Sequence, residues 1–189
     1  MNALTQLFLN SQFFNAELSE KIAAEFKQQS FPKNEFLLKE NQVSNAYYFL
    51  ENGIIRSYAI DMEGNEISTN FYTAGEFVFE VQSFFLRQAS KENIQTITPV
   101  NVASISFEKL NQLFHEYPQF REFGRSLLVR GFAGLKSRML SHITTSAEER
   151  YRQLITNKPM LIEHVPLKYI ATYLGITDTS LSRIRKEMR

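Results

Sequence analysis

Between Phe31 and Ser106 the chain repeats one device: a short run of aromatic or β-branched residues, then a break of Asn, Asp or Gly, at intervals of about ten residues. Tyr47-Tyr48-Phe49-Leu50 gives way to Glu51-Asn52-Gly53, and the run from Ile54 to Ile60 to Asp61-Met62-Glu63-Gly64-Asn65-Glu66. A strict alternation follows, with Ile67, Thr69 and Phe71 on one side and Ser68, Asn70 and Tyr72 on the other. Runs at Ile94–Thr98 and Val100–Ile105 extend the series. Such spacing predicts short antiparallel strands, closed into a small sandwich or barrel because closure removes exposed edges.

Helical periodicity flanks this region. Leu18, Ile22, Ala23 and Phe26 share a face near the start, and Phe107 to Phe114 forms a segment ended by Tyr117-Pro118. A long proline-free candidate then runs from Gln119 to Ile143, with Phe120, Phe123, Leu127, Leu128, Phe132, Leu135, Met139 and Ile143 apolar. That arc is wider than one packing surface needs. Gly124, Gly131 and Gly134 interrupt it, each costing about 1 kcal/mol against Ala in a helix interior. Both features fit a helix with one face on its own barrel and another on a second copy, with Gly124, Leu127, Gly131, Gly134 and Leu135 at the contact. The other reading is a core helix within one chain that tolerates its glycines. Thr144-Thr145 is the expected hinge, and Ser146 with Glu149 forms a capping box that opens the next helix.

Composition removes several function classes. With 43% hydrophobic and 22% charged residues the chain is globular rather than disordered. The absence of Cys excludes disulfides, thiolate zinc sites, Cys-ligated iron–sulfur clusters and a Cys nucleophile. The uncharged stretch from Met1 to Ala16 is broken by polar residues and lacks the basic start of a signal peptide, so a soluble, cytoplasmic protein without a membrane partner is expected. The net charge of +1 conceals an asymmetry: residues 1–145 carry 13 Lys/Arg against 15 Asp/Glu, residues 146–189 carry 8 against 5. A basic C-terminal quarter hints at a polyanion.

Within that quarter Pro166 suits the first turn of a helix burying Ile170, Ala171 and Leu174, which Gly175 ends. Thr177 caps a second helix with Asp178 in its first turn, burying Leu181, Ile184 and Met188. Two short helices across a tight glycine turn make a helix-turn-helix. Asp178, Thr179, Ser182 and Arg183 are then placed to read base edges in a major groove, and Lys168, Thr177, Ser180, Arg185 and Lys186 to hold phosphates. The plainer reading is a helical hairpin with a solvated basic face.

The order of N-terminal helices, jelly-roll-like strands, long helix, hinge and terminal helix-turn-helix resembles the Crp/Fnr family of transcription regulators over nearly the whole chain. Tyr48 to Glu76, with Gly53, Arg56, Gly64 and Gly75-Glu76, looks like its cyclic-nucleotide-binding β-roll. Ala171, Gly175 and Ser182-Arg183-Ile184 look like its DNA-binding motif. The resemblance implies an α+β fold in three parts: a double-stranded β-helix sensor domain with flanking helices (1–117), a dimerisation helix (118–143) and an all-α helix-turn-helix domain (144–189). It implies a homodimer on a near-palindromic duplex, with RNA polymerase as a further partner. The family commonly continues into a two-stranded wing, whereas this chain stops at Arg189, so a full wing is not expected.

The resemblance also places an effector pocket at Gly75, Glu76, Ser90, Lys91, Leu135 and Lys136. The family's phosphate-clamping Arg-Ser/Thr-Ala cassette reads Ser90-Lys91-Glu92 here, so the bidentate Arg is missing and Glu92 adds negative charge. Lys91 is a point charge on a flexible stem and does not replace the planar fork. Aligning Arg87 there requires a gap the sequence does not justify. Cyclic AMP is therefore expected to bind weakly or not at all; no cofactor is assigned, and any small-molecule effector is unknown. His115, His142 and His164 stand alone, which suits solvent or core roles rather than metal or haem ligation. The region 31–107 has no His, and Glu76 with Glu80 is a weak acid–base candidate, so an enzyme is not expected. The chain reads as a sequence-specific DNA-binding regulator; the alternative is a small-molecule-binding or interaction module with a vestigial DNA-binding head.

Overall fold

The computed structural model describes residues 2–188; Met1 and Arg189 lie outside them. The chain is an α+β protein, an N-terminal β-sheet domain followed by a C-terminal helical region. It opens with helices α1 (Ala3–Leu9) and α2 (Ala16–Ala23). Each is started by an Asn whose side-chain oxygen accepts from a backbone N–H three residues on: Asn2 from Thr5 at 2.8 Å, Asn15 from Leu18 at 2.9 Å. The periodicity at Leu18, Ile22 and Ala23 marks α2. It gives no sign of α1, whose Leu4 and Phe8 are nevertheless fully buried.

Strands β1 (Lys27–Phe31), β2 (Phe36–Leu38), β3 (Ala46–Asn52), β4 (Ile55–Ile60), β5 (Glu66–Tyr72) and β6 (Phe77–Val78) follow, then helix α3 (Val81–Leu86) and strands β7 (Asn93–Thr96) and β8 (Val100–Ser106). They form two antiparallel four-stranded sheets, ordered β1-β8-β3-β6 and β2-β7-β4-β5. Leu38, Leu50, Ile55, Val78, Ile94, Val100 and Val102 fill the space they share. Gly53, at φ +88°, makes the tight passage from β3 to β4, where a Cβ would lie 2.5 Å from the Pro99 carbonyl oxygen.

Strand β5 departs from the expected alternation. Its register with β4 runs Arg56 to Phe71 and Ser57 to Asn70, then jumps to Tyr58 with Ser68, leaving Thr69 unpaired in a bulge. Opposed residues in an antiparallel pair share a face, so Arg56, Tyr58, Ser68 and Phe71 stand together. Ser68 is 5% exposed and Ile67 36%, the reverse of what the apolar pattern predicts. The reason is that this outer face is covered by the helices described next.

Helix α4 (Phe107–Glu116) leads through Tyr117 into α5 (Pro118–Thr144), which runs 27 residues. Phe120 and Phe123 bury its first turns against Phe8, Phe14 and Phe77. Beyond Leu127 the apolar face is bare: Phe132 is 72% exposed, and Leu128, Leu135, Met139 and Ile143 are also open. Helices α6 (Ala147–Asn157), α7 (Met160–His164), α8 (Leu167–Tyr173) and α9 (Asp178–Glu187) complete the chain. Their core of Tyr151, Leu154, Leu161, Val165, Ile170, Ala171, Leu174, Leu181 and Ile184 is continuous with Ile54, Phe71 and Ile97 of the sheets.

Candidate functional site

The turn between α8 and α9 is built by Gly175 at φ +68° and by Thr177, whose hydroxyl oxygen accepts from the Ser180 N–H at 3.3 Å. Leu181 and Ile184 turn inward. Asp178, Thr179, Ser182, Arg183 and Lys186 of α9 are exposed, and Arg185 and Ser180 half-buried. The hydroxyls of Thr177, Thr179 and Ser180 are tied together within 3.0 Å. Among the described residues Arg183 has only a loose 4.0 Å approach to Glu187, and its guanidinium is exposed. Lys168 is exposed at the start of α8, its Nζ 4.9 Å from the centre of the Tyr169 ring.

The residues assigned to an effector pocket are differently occupied. Glu76 Oε2 accepts from the backbone N–H and hydroxyl of Thr73 at 2.6 and 2.9 Å, and Glu76 receives Lys158 Nζ at 2.7 and 2.9 Å. Lys158, at the C-terminal end of α6, also donates to the Phe71 carbonyl at 2.7 Å. The Ser90 hydroxyl donates to the Glu92 carbonyl at 2.7 Å and is buried. Lys91, Gly75, Leu135 and Lys136 are exposed. Burial pushes the Glu92 carboxyl above its usual range, an effect Arg138 opposes. Arg87 ends α3 in the left-handed conformation and donates to the Ser44 carbonyl and the Asn45 side chain, both at 2.6 Å. Glu80 caps α3 through Gln82 and Ser83. The two carboxylates raised as an acid–base pair thus serve separate structural contacts.

Gly124 needs a correction. A Cβ there would meet the Phe114 ring at 2.8 Å, so the missing side chain makes room for an aromatic of the same chain and not for a second copy. Gly131 and Gly134 face open space. The three histidines do not converge: His142 lies beside Gly175, and burial together with Arg150 and Arg138 holds its pKa below the usual value. Among the described residues no cluster of His, Asp or Glu is arranged to hold a metal ion, and no helix is long and apolar enough to cross a membrane.

Local sequence periodicity does not reveal the contact between sheets and helices. Arg56, 0% exposed, donates to Glu66 at 2.6 Å and to Ser68 at 2.9 Å while lying between the rings of Tyr58 and Tyr169. The Ser68 N–H donates to Thr172 at 3.1 Å, and its hydroxyl to the Tyr169 carbonyl at 2.8 Å. Arg138 donates to the Thr69 carbonyl, and the Phe71 and Tyr173 rings lie 5.3 Å apart. One signal was available: Arg56 is a lone charge within an apolar run, a position that requires a specific partner.

Residues 28–117, which span the two sheets and α4, match the cyclic nucleotide-binding domain family. The fumarate and nitrate reduction regulatory protein of Yersinia pestis is 27% identical over 164 residues, covering 80% of this chain and 64% of that protein. The structure of FixK2 from Bradyrhizobium japonicum superposes with a TM-score of 0.74 at 17% identity, over 86% of this chain and 84% of that one. A structure from Eubacterium rectale assigned to the Crp/Fnr family superposes at 0.71, with 13% identity over 94% and 87% of the two chains. Residues 28–117 thus carry a cyclic nucleotide-binding-like domain, and the chain shares its overall fold with these solved structures. It spans 64% of the length of the curated relatives it matches.

Proposed function

We propose that the chain is a homodimeric, sequence-specific DNA-binding transcription regulator. In this reading α8 and α9 are a helix-turn-helix, α9 enters the major groove, and α5 pairs with its counterpart in a second copy. The observation that carries it is the division of α9 into a buried Leu181–Ile184 side and an exposed side of Asp178, Thr179, Ser182 and Arg183. The bare apolar stretch of α5 from Leu128 to Ile143 supports pairing, now with Leu127, Gly131, Gly134 and Leu135 as its small and apolar positions.

The effector pocket is proposed not to take cyclic AMP. Glu76 is held by Lys158, Arg87 is committed to Ser44 and Asn45, and Glu92 supplies a half-buried carboxyl where an anion would need a cation. Calorimetric titration with cyclic AMP is expected to show no micromolar binding; a saturating heat would reverse this part of the reading.

Mobility shifts with the upstream region of the chain's own gene, against random competitor and across a salt series, test the function. Specific binding that falls steeply with salt is expected, together with a dimer in sedimentation that Phe132→Asp converts to monomer. A monomer without preference for any duplex would favour an interaction module with a vestigial head.

A further inference from the structure

We propose that the β4–β5 turn is an acidic brake on DNA binding, applied when the helical region docks on the sheet; this rests on the DNA-binding reading above. Two pairs of contacts fix the direction of α8 on β5. Ser68 meets Tyr169 and Thr172, and Phe71, further along the strand, meets Tyr173, further along the helix. Strand and helix therefore run the same way. Followed backwards, the strand reaches Glu66 and the turn Asp61-Met62-Glu63-Gly64-Asn65, while the helix reaches its own beginning at Lys168 and Leu167. At about 3.3 Å per strand residue, against 1.5 Å in the helix, the turn projects past the start of α8.

In a helix-turn-helix the first helix crosses the DNA backbone. The docked arrangement thus sets Asp61 and Glu63, both exposed, beside the path of the phosphates that Lys168 would meet. Glu66 is neutralised by Arg56, but among the described residues no cation is paired with Asp61 or Glu63, whose carboxylates accept from the Asn65 side chain and, for Asp61, from the backbone of Glu63 and Asn65. Two free carboxylates within a Debye length of phosphates repel them. Beside the buried Arg56–Tyr169 stack and the Phe71–Tyr173 contact, part of the clasp is polar and partly wet, which makes the brake releasable. Lys158 and Glu76 are 26% and 39% exposed, and Ser68 and Thr172 meet through hydroxyls. Taking Glu76 from Lys158 removes one of the contacts that hold the helical region on the sheet and so weakens the docking of α8 beside the acidic turn.

The cysteine-free chain makes the test direct. Ser68 Oγ and Thr172 Oγ1 are 3.0 Å apart, so the double variant S68C/T172C should close a disulfide that locks the docked form. The probes are a mixed-sequence duplex pool and the upstream region of the chain's own gene. Oxidised protein is expected to bind both about tenfold more weakly than the same protein reduced, and Glu63→Lys in the oxidised background to recover most of that loss. Glu76→Gln, in a chain without added cysteines, is expected to tighten binding about threefold and to speed hydrogen exchange in α8. Failure of the disulfide to form in folded protein would overturn the proposal, as would equal affinities in both redox states. If reduced and parent proteins bind neither duplex, the DNA-binding reading has failed instead, and the brake falls with it.

Discussion

The guanidinium carbon of Arg56 sits 3.6 Å from the centre of the Tyr169 ring, so a strand residue and a residue of the C-terminal helices share one buried stack. The charge is tolerated there because Glu66, Ser68 and two aromatic faces solvate it in place of water, although Nη2 is left without a partner.

Glu66→Gln removes the counter-charge and leaves the guanidinium buried. A hydrogen bond to a charged group contributes about 1.5–3 kcal/mol, and solvent at the half-exposed Glu66 places this one near the lower end. Urea unfolding should show a loss of about 1.5 kcal/mol. An unchanged midpoint would mean that the pair contributes nothing.

Gly175→Ala forces a side chain into the left-handed region at φ +68°, with its Cβ 3.4 Å from the His142 ring. The expected cost is about 1–2 kcal/mol, read as a lower melting temperature. Gly64→Ala has the same backbone penalty and open space around it, so the difference between the two variants isolates the contact with His142.

Burial raises the Glu92 carboxyl above its ordinary value, with Glu80 adding repulsion and Arg138 opposing it. Between the ordinary and the raised value the folded chain holds a proton that the unfolded chain releases. Stability therefore falls as pH rises through that window and stays lower above it. Glu92→Gln should be more stable than the parent at neutral pH, with the gap closing toward about pH 4. A gap independent of pH in parallel thermal melts would refute the assignment.

On DNA, Arg183→Ala should cost about 1–3 kcal/mol and relax preference at one base position. Lys186→Ala should weaken all sequences alike and lower the salt slope by about one. Selection from a randomised duplex library separates the two effects; identical profiles would remove Arg183 from base reading.

Much of this was legible in the chain because local signals agreed. The strand runs, the Ser146 cap, Gly175 and the inward Ile170, Leu174, Leu181 and Ile184 each follow from patterns within a few residues. What escaped depends on partners far apart in sequence. Lys158 looks like an ordinary surface cation until Glu76 is brought to it across 82 positions. Gly124 looks like an interface glycine until Phe114 fills its place. Ser68 looks like the solvent side of a strand because the alternation contains no mark of the bulge that turns it.

That single unpaired residue has a wider consequence. β5 is an edge strand, capped by α8 through the Ser68 N–H instead of remaining an open template, and the bulge residue Thr69 turns its carbonyl to Arg138 of α5. Deleting Thr69 would restore strict two-residue periodicity with Ser68 still opposite Tyr58 and Phe71 still opposite Arg56, and would remove the carbonyl that receives Arg138. One surplus amino acid at the rim of one sheet thus gives the long helix a backbone anchor.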